Sequence, residues 1–173
     1  MAISLYDISV SSYLQVLGGI AGILKKGAEF AGESDLDLAE IVETRLRPDM
    51  LPFQFQLISV FHHSLGAING IREGVFTPPP SMPELDYAGL QGLVEKASTQ
   101  LQEVSPEEID ALEGRAVTFK LGDLDIPFTT ENFILSFSLP NFYFHATTTY
   151  DMLRMVGVPL GKRDFLGNMR VGN

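Results

Sequence analysis

Val10, Tyr13, Leu14, Leu17, Ile20, Leu24 and Ala28 follow one another at steps of three and four residues, the spacing that lines one face of a helix. The pattern predicts a first long helix over about 4–31, ending near Gly32. Ser34-Asp35 offers a fresh cap for a short helix through Leu38, Ile41 and Val42, and Arg47-Pro48-Asp49 reads as a loop. Pro52 suits a first helical turn, and Phe53, Leu57, Phe61, Ile68 and Ile71 keep to one face until Gly74, predicting a second helix over about 52–73. Pro78-Pro79-Pro80 must then be an extended crossing loop, because three consecutive prolines can build neither a helix interior nor a central strand. Tyr87, Leu90, Val94, Ala97 and Leu101 are spaced 3,4,3,4 and predict a third helix over about 86–102.

Beyond it, Ser105-Pro106-Glu107-Glu108 joins an N-cap, a proline at the first position and a glutamate three residues after the cap, so a short helix should start there and stop near Gly114. The period then changes from helical to alternating. Val117, Phe119 and Leu121, a Gly122-Asp123 turn, and Leu124, Ile126 and Phe128 describe a small β-hairpin over about 116–128. The last helix, about 129–156, opens at Thr129-Thr130-Glu131 and closes at Gly157 before Pro159. Asn132 to Tyr150 holds no charged residue, which predicts that neighbours cover it on most sides, at the centre of the fold. Pro140 cannot donate to the Ser136 carbonyl and should kink it. The expected architecture is one all-α domain spanning 1–173: a bundle of four long helices with a hairpin inserted before the last.

Composition narrows the partners. A formal net charge of −10, with no basic run longer than Lys25-Lys26 or Lys162-Arg163, is the opposite of what a polyphosphate backbone or an anionic lipid surface attracts. The expectation is therefore no nucleic acid and no membrane partner. Ile8 to Leu24 is also free of charge, but it carries Ser9, Ser11, Ser12 and Gln15, while the last helix carries Pro140, Asn141, His145 and threonines; both suit a folded core better than a bilayer. The chain has no cysteine, which excludes disulfides, thiolate metal sites and a cysteine nucleophile. Asp7 is the first charged side chain and no Lys or Arg precedes Lys25, so a secretory leader is not expected and a cytoplasmic location is.

Candidate chemistry gathers on the last helix. At 100° per residue Ser138, Asn141, His145, Thr149 and Met152 share one stripe. Polar groups buried in a helix need partners, so the stripe is a hydrogen-bonded core, a dimer interface, or the wall of a small-ligand pocket. The remaining histidines, His62 and His63 on the second helix, flank its apolar face from opposite sides; either could approach His145 and offer a second imidazole to a divalent metal. A third ligand is not evident. No glycine-rich nucleotide loop, His-Glu-x-x-His or Gly-x-Ser-x-Gly occurs. Asp35, Asp37 and Glu40, like Glu107, Glu108 and Asp110, read as solvated helix starts.

Leu139-Pro140-Asn141-Phe142-Tyr143-Phe144-His145-Ala146-Thr147-Thr148-Thr149-Tyr150, with Leu153-Arg154 and the stretch from Gly157 to Gly167, resembles an uncharacterised bacterial family within the DinB-like superfamily. Arg45 to Met50 resembles it as well. The resemblance implies an up-down-down-up four-helix bundle, frequent homodimers, and in many members a metal held by one histidine of helix two and a pair four residues apart on the last long helix. Some such members are thiol-dependent transferases. His145 matches one member of that pair and His62 or His63 the helix-two ligand, but Thr149, four residues on, is a poor ligand. The resulting expectation is a homodimer with a polar pocket beside His145 and an incomplete metal site. Its rivals are a nickel- or zinc-dependent enzyme, a hydrolase or thiol transferase, and a purely structural dimerisation domain.

Overall fold

The structure, a computed structural model, describes residues 3–81 and 83–172. Its helices begin where side chains can satisfy free backbone N–H groups. Ser4 caps α1 (Leu5–Ile8), and Ser9 joins it to α2 (Val10–Glu33). The short α3 (Leu38–Glu43) is capped by Asp37, whose carboxylate accepts from the Ala39 N–H, rather than by the expected Ser34-Asp35. The second long element is composite: α4 (Phe53–Phe61), a widened π-helical turn π1 (His62–Gly66), and α5 (Ala67–Glu73), ended by Gly74 at a φ of 73°.

Capped by Asp86, α6 (Tyr87–Gln102) buries all five heptad positions. Ser105 caps α7 (Pro106–Asp110) by accepting from the Glu108 N–H. The last long element is also composite, with α8 (Thr130–Phe133), π2 (Ile134–Ser138) and α9 (Leu139–Met155), and α10 (Lys162–Leu166) follows it. Among the long elements, α2 packs on α6 and α9, and α4 packs on the same two.

The fold is mostly helical, as expected, but the expected hairpin needs correction to part of a three-stranded sheet. β2 (Ala116–Leu121) and β3 (Leu124–Thr129) form an antiparallel pair turned at Gly122, whose φ is 58°. A further strand, β1 (Val75–Phe76), lies parallel to β2, with Phe76 opposite Phe119. Two residues are too few for alternation to show, so only the fold reveals it. Phe76 is buried against Phe133 and Phe137 of the last helix, and this aromatic cluster fastens the sheet to the helical body.

A second correction concerns the charge-free helix. Its inner side, including Phe133, Ile134, Phe142, Ala146 and Leu153, is buried, but Leu135, Tyr143, Phe144 and Met155 are 40–57% exposed. Absence of charge identified a helix without an obvious polar face; it did not place neighbours on its outer side. Around Pro140 the distortion takes the form of π2. The Leu139 N–H reaches back five residues to the Ile134 carbonyl, and the widened turn accommodates the bond that proline cannot make.

Leu5–Glu33 is long and apolar enough, by length and composition, to cross a membrane, and 50% of its most apolar window is buried within the fold. Tyr13, Leu17, Ile20 and Leu24 are fully buried there, the burial pattern of a core helix.

Candidate functional site

Gln56, Ser59 and His63 recur at i, i+3 and i+7 along α4 and π1, while Phe137, Asn141 and His145 recur at i, i+4 and i+8 along π2 and α9. Packing α4 on α9 sets these two stripes face to face. Between them lies a cavity of about 240 Å³ whose polar lining is Ser59, His62, His63, Asn141 and His145. Phe55, Phe76, Phe119, Phe137, Pro78 and Pro79 supply its apolar walls. The proline run is thus one side of the cavity, and β1 and β2 deliver Phe76 and Phe119 to another.

Of the two adjacent histidines, His63 is the one beside His145: their ring centres are 6.2 Å apart and their planes differ by 13°. The half-buried His62 stacks on Phe76 and donates from Nε2 to the Thr77 carbonyl at 2.8 Å. This bond commits its proton to Nε2 and ties the start of the proline loop to π1. Burial lowers the pKa of all three rings. His63 falls to about 3, chiefly by burial and then through the neighbouring His62 and His145; His145 falls to about 4 by burial; the Thr77 carbonyl partly offsets the effect at His62. At neutral pH the cavity therefore presents uncharged imidazoles.

Gln56, absent from the sequence-level candidates, orients His145. Its amide Nε2 donates to the Leu51 carbonyl at 3.0 Å, which turns Oε1 toward His145 Nδ1 at 2.8 Å. An amide oxygen only accepts, so His145 carries its proton on Nδ1 and a lone pair on Nε2. Asn141 Nδ2 donates to the Phe137 carbonyl at 2.7 Å.

Three members of the predicted stripe lie elsewhere. Ser138 is fully buried and joins two other elements: its hydroxyl donates to the His63 carbonyl at 2.8 Å and accepts from Tyr13 at 2.8 Å. Because Ser138 has one proton and gives it to a carbonyl, Tyr13 must be the donor in the second bond. Thr149 turns back to the His145 carbonyl at 2.9 Å, and Met152 is buried in the core. Of the stripe, Asn141 and His145 line the cavity, while Ser138 is turned to Tyr13 of α2. The four-residue partner of His145 at the cavity is consequently Asn141, one turn before it, and not Thr149, one turn after.

The donors do not fit a preformed tetrahedral metal site. An imidazole nitrogen about 2 Å from zinc places its ring centre about 3 Å from the ion, so two tetrahedral ligands have centres about 5 Å apart. The rings of His63 and His145 are about 1 Å further apart than that, at 6.2 Å. Among the described residues, no three His, Asp or Glu side chains converge as a metal-holding group. Chemically, the arrangement can orient and hydrogen-bond a guest, and no step through a metal follows from it.

The C-terminal motif serves packing. Asp164 accepts from the Gly161 N–H at 2.7 Å and from Lys26 at 2.6 Å, and the lysine holds its carboxyl below the usual range. The Phe165 carbonyl lies so close to α2 that a Cβ at Gly19 would clash with its oxygen.

Comparison with known proteins agrees with this fold. The crystal structure of a DinB family member from Shewanella denitrificans superposes with a TM-score of 0.78 at 24% sequence identity, covering 98% of this chain and 95% of the other. No protein of curated function is significantly similar to the chain. Residues 5–166 match the family described as Domain of unknown function (DUF1993), and the chain belongs to that family.

Proposed function

We propose that this chain is a small-ligand-binding protein whose site is the cavity between α4 and α9. The observation that carries the reading is the pairing of two uncharged imidazoles within an aromatic and proline wall, with one imidazole locked in a single tautomer by Gln56. Such a site holds and orients a guest through a few fixed polar groups on an apolar surface. In this reading the four long helices follow the up-down-down-up order of a DinB-like bundle, supported by the packing of both α2 and α4 on α6 and α9. The acidic charge supports a partner set without nucleic acid or membrane, and a cytoplasmic location is part of the same reading.

The metal-dependent hydrolase or thiol transferase is the rival reading, and metal analysis of protein purified without an affinity tag separates the two. After incubation with zinc and with nickel followed by desalting, the expected metal content is well below one ion per chain. A stoichiometric ion that disappears in His145→Ala would overturn the proposal. Ligand occupancy is read directly by NMR titration with small aromatic probes, with the expected shifts confined to His63, Phe137 and His145.

A homodimer is also proposed, on a separate observation: Tyr143, Phe144 and Met155 stand exposed on the outer face of α9. Solvent-facing apolar side chains of this size favour burial against a partner. Light scattering at micromolar concentration should give twice the chain mass, reduced to a single chain by Phe144→Asp. A wild-type monomer would refute the dimer.

A further inference from the structure

Building on the ligand-cavity reading, the hydrogen-bonding character of the cavity wall limits what its guest can be. His145 presents a lone pair at Nε2, because Gln56 Oε1 can only accept from Nδ1. The amide cannot turn over to reverse this, since Gln56 Nε2 is spent on the Leu51 carbonyl and an oxygen in its place would face that carbonyl. His63 is arranged in the opposite sense. Its Nδ1 is buried with no hydrogen-bond partner among the described residues. An orphaned buried N–H is the rarer and costlier arrangement, whereas an acceptor is more often left unsatisfied, so the proton resides on Nε2. The two parallel rings therefore offer an acceptor from His145 beside a donor from His63.

Among the described residues no lining side chain is Asp, Glu, Lys or Arg, so they offer no counter-charge for an ionic guest. Taking an unpaired ion out of water into such a place is strongly unfavourable. An aromatic and proline wall asks in addition for a flat apolar body. We propose that the cavity binds a neutral, planar amide, a carboxamide or lactam, whose N–H donates to His145 Nε2 and whose carbonyl accepts from His63 Nε2. An anion would supply acceptors only and a cation donors only; each leaves one imidazole unmatched and its own charge uncompensated.

Benzamide, benzoate and benzamidinium share one shape and differ in these properties, which makes them the probes. They are titrated at pH 7.5 into the full chain labelled with ¹⁵N-histidine, with toluene as an apolar control and zinc as a metal control. Long-range ¹H–¹⁵N correlations on the free protein should show His145 protonated on Nδ1 and His63 on Nε2. Benzamide should shift both rings saturably and bind at least tenfold more tightly than either ion, and His145→Phe should abolish that preference. Opposite tautomers, or benzoate or benzamidinium binding as tightly as benzamide, would overturn the amide assignment while leaving a ligand cavity in place. Saturable zinc binding at both histidines that excludes benzamide would overturn both readings, as would the absence of shifts at the cavity residues with every probe.

Discussion

Replacing Ser138 with alanine tests the network that joins π1 and π2 to α2. The Ser138 hydroxyl is fully buried, donates to the His63 carbonyl at 2.8 Å and accepts from Tyr13, itself fully buried, at 2.8 Å. Alanine leaves the buried Tyr13 phenol without its partner, at about 1–3 kcal/mol, and removes the hydroxyl bond to the His63 carbonyl, at about 1 kcal/mol. Because the two losses share one network they fall short of additive, and the expected destabilisation is about 3 kcal/mol. At about 2–4 °C per kcal/mol for a domain of this size, the melting temperature should drop by roughly 6–12 °C. Tyr13→Phe deletes only the bond to Ser138 and should cost about 1 kcal/mol. The double variant no longer strands the phenol, so it should be about 1 kcal/mol more stable than the sum of the single effects requires.

Urea unfolding at pH 7.5 gives these values from midpoints at constant slope. Ser136→Ala is the control: its exposed hydroxyl bonds to the Asn132 carbonyl, and its loss should change stability by no more than about 0.5 kcal/mol. A Ser138→Ala protein within about 0.5 kcal/mol of wild type, or strict additivity with Tyr13→Phe, would refute the network.

The depressed histidine pKa values make metal-free protein sensitive to mild acid: below the unfolded pKa of about 6.5 the unfolded chain binds protons that the native rings refuse. Stability should thus be complete above about pH 6.5 and fall as pH drops toward the folded values of about 4 and about 3. His63, only 8% exposed, should contribute a loss of about 2 kcal/mol by pH 5, with His145 adding less because it is more exposed. A urea midpoint that stays constant or rises between pH 7.5 and 5 would contradict this. Gly19→Ala should destabilise by about 2 kcal/mol and release α10, since its Cβ meets the Phe165 backbone. Gly18→Ala, whose Cβ would meet nothing within 4 Å among the described residues, should stabilise by about 0.5–1 kcal/mol; proteolysis at the C-terminal segment and thermal melts distinguish the pair. Gln56→Leu removes the acceptor for His145 Nδ1, so ¹⁵N NMR should show the imidazole shifting from one tautomer to a mixture, and an unchanged single tautomer would contradict the lock.

The heptad from Tyr87 to Leu101 and the alternation from Val117 to Phe128 correspond to α6 and to the β2–β3 pair. Each pattern repeats often enough for its period to be distinctive. β1 was illegible because a two-residue strand has no period, and its partner in β2 lies more than forty positions away. Of the site, the histidines could be named from the sequence but not sorted. The π1 turn and the stacking on Phe76 decide that His62 turns to Thr77 while His63 turns to His145. A lone glutamine on an apolar face, such as Gln56, has no sequence signature until its hydrogen-bond partners are in place.

Local chemistry alone, through side-chain period, caps and breakers, settled where the long helices and the hairpin run, because those preferences act between residues a few positions apart. Which edge of the Ser138–Met152 stripe faces a cavity, which histidine stands beside His145 and which of its nitrogens carries the proton were decided only by tertiary packing. These properties depend on contacts between distant segments, from Gln56 to His145 and from His63 to Ser138, and no local rule encodes them.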